Sequence, residues 1–159
     1  MINEIKQAIA QKILEQYPSS TIYDEDIPQN FKTPSFLVTV IEQSYSKRLD
    51  NKYNSTITFD VAYFSDKGKN EIKSDCQAVQ VNLLRDFDII STYKAVVEET
   101  EEEPEETLVL DKNFMVLNKN AQITDNVLHI TFDVNYSEIK IGEEIPKMEA
   151  QTTNTSIKE

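Results

Sequence analysis

Two stretches of alternating apolar and polar residues constrain the fold of this chain more than any other feature. They run from Ile57 to Tyr63 (ITFDVAY) and from Ile130 to Tyr136 (ITFDVNY). Every second position holds a β-branched or aromatic residue, which is typical of a strand with one buried and one wet face. We therefore expect the two stretches to occupy equivalent places in one antiparallel sheet. A domain duplication is rejected, because the residues that precede the two copies differ in pattern.

Two other segments have the three- and four-residue spacing of amphipathic helices. The first is predicted to start near Ile2 and to end at Tyr17, before Pro18. The second is predicted over residues 70–86, and its apolar stripe includes Cys76, which we interpret as a small core residue and not as a reactive thiol.

Long strands are predicted on both sides of a turn at Asp50-Asn51-Lys52, over 35–49 and 53–64. The second of them would be about 36 Å long, which indicates a projecting hairpin. Its edges are either well covered or used for subunit contacts. Shorter strands are predicted at 93–97, 108–110, 114–117 and 128–136, with tight turns at 118–120 and 125–126. The expected fold class is α+β, a mainly antiparallel twisted sheet with a long hairpin and two amphipathic helices packed against it.

The length of 159 residues predicts one domain, over residues 1–145, with a polar and flexible C-terminal tail at 146–159. Within the domain, seven of the nine residues at 98–106 are glutamate, which predicts an open acidic loop. The net charge of −12 argues against sequence-specific binding of nucleic acid. No apolar run follows the opening Met1-Ile2-Asn3-Glu4, so we expect neither a secretion signal nor a membrane span.

The sequence gives little support to catalysis. His129 is predicted on the outward face of the last strand without a nucleophile motif, so a catalytic triad has no support. Asp60 followed by Glu71-Ile72-Lys73 resembles the acidic motif of metal-dependent nucleases, but here Glu71 is predicted at the start of a helix. Only two glycines occur, which excludes Gly-rich phosphate loops. We expect no enzyme, no cofactor and no metal.

The segment 23–38, YDEDIPQNFKTPSFLV, combines an acidic stretch, Pro-Gln-x-Phe, and a proline before an apolar strand. With the order of helix, long hairpin, second helix and closing strands, it resembles the tail terminator proteins of contractile-tailed phages, defective prophages and phage-tail-like bacteriocins. The resemblance extends from Ile2 to about Ile139.

This resemblance implies a homo-hexameric ring on the last ring of the tail tube. Such a ring stops polymerisation of the tube and sheath and presents a surface to a neck or collar protein. The protein would be made in the bacterial host cytoplasm and would end at the head-proximal end of the tail. The acidic residues 98–106 would then face a DNA-conducting lumen. A soluble acidic partner-binding module, such as an assembly chaperone, and a metal-dependent hydrolase are the alternatives.

Two predicted loops mix aromatic and charged residues and are candidate interfaces with other subunits or with the tube. One is the loop at 24–31 and the other is the tip of the long hairpin. The candidate residues are Asp24, Glu25, Asp26, Gln29, Asn30, Phe31, Arg48 and Tyr53.

Overall fold

The computed structural model describes residues 1–99 and 101–140, which form two helices and one six-stranded sheet. The helices are α1 (Ile2–Gln16) and α2 (Ile72–Asp86). The strands are β1 (Thr21–Tyr23), β2 (Ser35–Lys47), β3 (Lys52–Phe64), β4 (Ile89–Glu98), β5 (Glu105–Thr124) and β6 (Val127–Ile139). Their order across the sheet is β1-β2-β3-β6-β5-β4. The α+β outline is confirmed in part, because the sheet is mixed: β1 pairs with β2 in parallel, and every other pairing is antiparallel.

The two related stretches are β3 and β6, which pair with each other at the centre of the sheet. Phe59 lies opposite Phe132, and Val61 lies opposite Ile130. Since directly opposite residues share a face, the apolar residues of both strands form one buried surface. The other face carries polar pairs, such as Thr58 with Asp133 at 2.6 Å. The prediction of equivalent strands with one wet face is confirmed.

Both helices cover the apolar face of the sheet. Helix α1 contacts β2 and β4, which lie toward opposite edges, so the sheet curls around this helix. Helix α2 contacts β5 and β6 and is joined to α1 by a hydrogen bond from the Asn82 amide to the Tyr17 hydroxyl at 3.0 Å. Phe87, just beyond α2, packs edge-on against Phe132 in the fully buried centre of the core.

The predicted long hairpin is confirmed as β2 and β3, two strands of 13 residues joined by a tight turn. Asp50 and Asn51 both have φ near +59°, the conformation of a type I′ hairpin turn, which favours Asn and Asp. The turn at Asp125 and Asn126 is of the same kind and is also confirmed.

Residues 89–124 differ from the sequence prediction. The strand predicted at 93–97 is the longer β4, and the strands predicted at 108–110 and 114–117 are parts of one 20-residue strand, β5. The turn predicted at 118–120 is wrong. These residues form a bulge inside β5, where Asn118 takes a φ of +53° and pairing with β6 resumes at Asn120. Asparagine supplies the left-handed conformation in both situations, so composition alone does not distinguish a bulge from a turn.

The acidic segment is shorter as a loop than predicted. Glu98 pairs with Glu105, and Val97 pairs with Glu106, so the ends of the segment belong to β4 and β5. The glutamates therefore form the tip of a second long hairpin. The tail predicted at 146–159 lies outside the described residues.

The sheet splits into two arms at one end. Pairing between β5 and β6 ends at Val116 and Val134, and beyond this point the two strands diverge. The β2–β3 arm comprises residues 41–58 with the adjoining end of β6 at 135–140. The β4–β5 arm comprises residues 89–115, and of its described residues only Ile90, Thr92 and Phe114, at the base, are buried.

The bulge in β5 directs Lys119 toward the end of α2. Its ammonium donates to the Leu84 backbone carbonyl at 2.6 Å and to the Asp88 carboxylate at 2.6 Å. The last carbonyls of a helix have no partner within the helix and favour a nearby cation. The bulge therefore connects α2 to the sheet through one side chain.

Lys119→Met should lower the free energy of unfolding by about 1 to 2 kcal/mol, because a charge-assisted hydrogen bond to a partly buried carbonyl is lost. Urea denaturation at neutral pH measures this change. Lys112→Met is the matched control, since Lys112 is exposed and has no ion-pair partner among the described residues, and it should change stability much less. Equal effects of both substitutions would contradict this role of the bulge.

The hydrogen bond from Lys119, together with its charge, lowers the pKa of Asp88 below its ordinary value. Stability from this carboxylate is present above its unfolded-state pKa and is lost as the pH falls through the folded-state pKa. Asp88→Asn should therefore destabilise the protein at pH 7 and have little effect at pH 2 to 3. Thermal unfolding of both proteins across this pH range measures the difference, and a constant difference at all pH values would contradict the assignment.

Candidate interaction surfaces

The loop between β1 and β2 is held on the body of the protein at three points. Asp24 forms an ion pair with Lys6 of α1 at 2.8 Å. The Tyr23 hydroxyl accepts a hydrogen bond from the Lys32 backbone N–H at 3.0 Å. The partly buried Phe31 packs edge-on against Phe64 at the end of β3, with 5.2 Å between ring centroids. The loop is thus an ordered surface.

Of the predicted loop residues, Asp24 and Phe31 are engaged in these internal contacts. The remaining four, Glu25, Asp26, Gln29 and Asn30, are exposed. They are the residues of this loop that are available to a partner.

The tip of the β2–β3 arm presents Arg48 to solvent, while Tyr53 is partly buried. Tyr53 stacks on Tyr45 with 5.1 Å between ring centroids, and Lys140 lies above its ring. The Tyr45 hydroxyl is hydrogen-bonded to the Glu138 carboxylate, which raises the pKa of Tyr45 to about 12. The neutral phenol is therefore the stable form of Tyr45, and it cross-links β2 to β6 near the tip.

The structure does not bring the predicted loop and the predicted hairpin tip together. The loop leads into Ser35 at the start of β2, and the tip follows Lys47 at its end. A strand of this length spans about 40 Å at 3.3 Å per residue. The candidate residues therefore form two separate surfaces at opposite ends of the molecule.

A polar groove of about 570 Å³ lies between the two arms. Hydroxyl and amide side chains form most of its lining, together with the cations of Arg48 and Lys112. Neither cation has an ion-pair partner within residues 1–99 and 101–140. The groove is thus open, polar and locally basic in a strongly acidic protein.

The arms also carry most of the exposed apolar surface. Thirteen large apolar side chains are exposed among the described residues, and only Leu14 and Val81 lie on the helices. Four belong to the β2–β3 arm: Ile41, Tyr45, Leu49 and Ile139. Seven belong to the β4–β5 arm: Ile89, Tyr93, Val97, Leu108, Val109, Leu110 and Met115. Such a concentration of exposed apolar residues indicates a surface that another molecule covers.

Sequence reasoning missed the β4–β5 arm as a surface. Its signal was present in Leu108-Val109-Leu110, an uninterrupted apolar run beside the glutamates. Such a run in a strand is ordinarily interpreted as buried on both faces. Here Leu108, Val109 and Leu110 are all exposed.

Groups with catalytic potential are few and scattered in the described residues. His129 Nδ1 lies 3.0 Å from an Asp60 oxygen on the wet face of the sheet, as the outward position of His129 predicted. Glu71 lies at the start of α2, outside the strand arrangement that the nuclease motif requires. Cys76 is buried, and burial raises the pKa of its thiol, which disfavours the reactive thiolate. No three metal-ligating side chains cluster among residues 1–99 and 101–140.

Two ordered, charged surfaces and two arms with exposed apolar side chains are typical of a protein that binds other proteins. A family model described as phage tail terminator protein matches residues 4–146. The chain therefore belongs to the phage tail terminator family and is a structural component of a phage tail. No curated protein matches it significantly. In the described part of the chain, no helix is long and apolar enough to cross a membrane.

Proposed function

We propose that this chain is the tail terminator of a contractile phage-type tail. It forms a hexameric ring on the last ring of tail-tube subunits, stops polymerisation of the tube and of the sheath, and offers its outer face to a neck or collar protein. The observation that carries this proposal is the family match over residues 4–146. The exposed apolar arms support it, because assembly would cover them.

Ring formation also suits the edges of the sheet. Among the described residues, strand β4 pairs only with β5, and beyond Leu37 strand β2 pairs only with β3, so each leaves an edge without a partner strand in this part of the chain. Exposed edges invite pairing with another chain. A heterologous contact between copies closes into a ring when the rotation between neighbours divides the full circle, and a closed ring leaves no open end.

We assign the described parts to these roles as follows. The proposed domain spans residues 1–145, and in its described part both helices and all strands share one core. The ordered loop at 24–31 faces the tail tube or a neighbouring subunit, with Glu25, Asp26, Gln29 and Asn30 as contact residues. The protein assembles in the host cytoplasm and ends at the head-proximal end of the tail.

The test combines light scattering and electron microscopy of the purified protein, with and without tail tubes of its own particle. Six-membered rings, formed alone or only at tube ends, are expected, and tubes capped in this way should not elongate when tube protein is added. A protein that remains monomeric or dimeric with tubes present, and permits elongation, would overturn the proposal.

The contribution of the loop is tested separately by Asp26→Lys combined with Glu25→Lys. Both residues are exposed and have no ion-pair partner within the described residues, so the fold should be unchanged. We expect loss of tube capping with ring formation retained if the loop faces the tube, and loss of both if it faces a neighbour. Retention of both activities would remove the loop from the interface.

A further inference from the structure

The β4–β5 arm has one predominantly apolar face. Its strands place Ile89 opposite Met115, Tyr93 opposite Leu110 and Ala95 opposite Leu108, and the alternation along β4 puts these pairs on the same side. Leu108 is 69% exposed and Val97 is 60% exposed. On β3 and β6 the middle of the wet face is instead polar, with Thr58 beside Asp133 and Asp60 beside His129.

The two arms carry opposite charge at their tips. The tip of the β4–β5 arm contains the glutamates of segment 98–106, all of them exposed. The tip of the β2–β3 arm, residues 47–52, contains three cations, Lys47, Arg48 and Lys52, and a single carboxylate. Each arm thus combines exposed apolar side chains with one dominant charge.

The arms project from the same end of the sheet, on either side of the polar groove. Within residues 1–99 and 101–140, neither the outer edge of β4 nor that of β2 has a partner strand in the arms. Two copies that met through the same arm would place like charges together. Contact between unlike arms places the glutamates of one copy against Lys and Arg of the other. It also brings the exposed apolar residues of the two arms into contact.

We propose that the β4–β5 arm of one copy docks on the β2–β3 arm of the next copy. Leu108, Leu110 and Tyr93 cover Ile41 and Tyr45 of the neighbour. Glu105 and Glu106 approach Lys47 and Arg48 at the rim of this contact. This inference rests on the proposed ring, and it identifies the surface that joins one copy to the next. The contact is heterologous, so charge selects a head-to-tail arrangement over a symmetric dimer.

Charge reversal tests the pairing of the arms. Variant A carries Lys47→Glu and Arg48→Glu. Variant B carries lysine in place of glutamate at five positions of segment 98–106, namely 99, 101, 102, 105 and 106, so that lysines outnumber the two remaining glutamates. Each variant alone opposes like charges at every contact and should weaken ring formation at least tenfold. The chain that carries both sets of substitutions opposes unlike charges again and should form rings.

An equimolar mixture of A and B gives a sharper result. The acidic β4–β5 arm of A matches the basic β2–β3 arm of B, and the basic β4–β5 arm of B matches the acidic β2–β3 arm of A. Such a ring alternates A and B and closes only with an even number of copies. Native mass spectrometry should therefore find rings with three copies of each variant, distinguished by the mass difference between A and B.

The apolar part of the contact has a matched control. Val97 on the β4–β5 arm and Val81 on α2 are almost equally exposed, at 60% and 59%. Val97→Ser combined with Leu108→Ser should weaken ring formation at least tenfold, whereas Val81→Ser should leave it unchanged. Circular dichroism should show the same fold for every variant.

The outcomes separate this inference from the proposed function. Rings of normal stability from A alone and from B alone would overturn the docking of unlike arms. So would failure of both the combined variant and the mixture to form rings. In either case the wild-type protein would still cap tubes, and the proposed function would stand. Absence of rings and of capping with the wild-type protein would overturn the proposed function itself. A symmetric wild-type dimer in place of a ring would overturn the head-to-tail contact.

Discussion

Replacing Phe132 with alanine should lower the free energy of unfolding by about 3 to 5 kcal/mol, the range for truncation of a large aromatic residue in a core. Phe132 is 1% exposed and lies where the two central strands and α2 meet. Its ring stacks on Phe59 at 5.8 Å and meets Phe87 edge-on at 5.5 Å, measured between centroids. Alanine would leave a cavity bounded by both of these rings, which the rigid centre of the sheet cannot fill.

Urea denaturation of the wild type and the variant measures this loss, with Phe31→Ala as the matched control. Phe31 has the same side chain but is partly buried and has one ring contact, with Phe64. Its truncation should cost well under half as much. A Phe132→Ala protein no less stable than Phe31→Ala would mean that the core is not centred on β3 and β6.

The central strands could be predicted because their apolar residues alternate with polar ones and the apolar positions are the buried ones. In β3 and β6 the buried residues fall on every second position from Ile57 to Val61 and from Leu128 to Val134. The period of two is then visible in the sequence. The helices were predictable for the same reason, since each has one buried stripe.

The exposed surface of the β4–β5 arm could not be predicted, because its apolar residues beyond the base do not occupy buried positions. Beyond the core, no layer formed by residues 1–99 and 101–140 packs on either of its faces, so Leu108, Val109 and Leu110 show no alternation of burial. The bulge at Asn118 also interrupts the apparent strand at the place where β5 continues. An alternating sequence pattern reports burial within the chain, and this part of the arm has none.

The candidate interface residues illustrate the same limit. The loop at 24–31 and the tip at Arg48 were chosen because both mix aromatic and charged residues in turns. Local composition cannot show that the loop and the tip lie at opposite ends of β2. Nor can it show that the rings of Phe31 and Tyr53 pack inside the protein, against Phe64 and Tyr45 respectively.

Shortening the β4–β5 arm should abolish ring formation and tube capping completely while the rest of the protein remains folded. Tyr93 and Leu110 are directly opposite, so residues 94–109 can be replaced with Asn-Gly, which closes a two-residue hairpin. The deleted residues lie outside the core, so the free energy of unfolding should change by about 1 kcal/mol or less. Electron microscopy of tube ends and light scattering measure capping and ring mass.

A shorter deletion separates the apolar face of the arm from its acidic tip. Glu98 and Glu105 are also directly opposite, so residues 99–104 can be replaced with Asn-Gly while Leu108, Glu105 and Glu106 are retained. This variant should still form rings, because the docking residues remain. If the tip lines a DNA passage, genome ejection from a phage should slow, since the removed glutamates would no longer repel the duplex. Rings that survive the long deletion would show that neighbouring copies meet elsewhere, and loss of rings with the short deletion would place the essential contact at the tip.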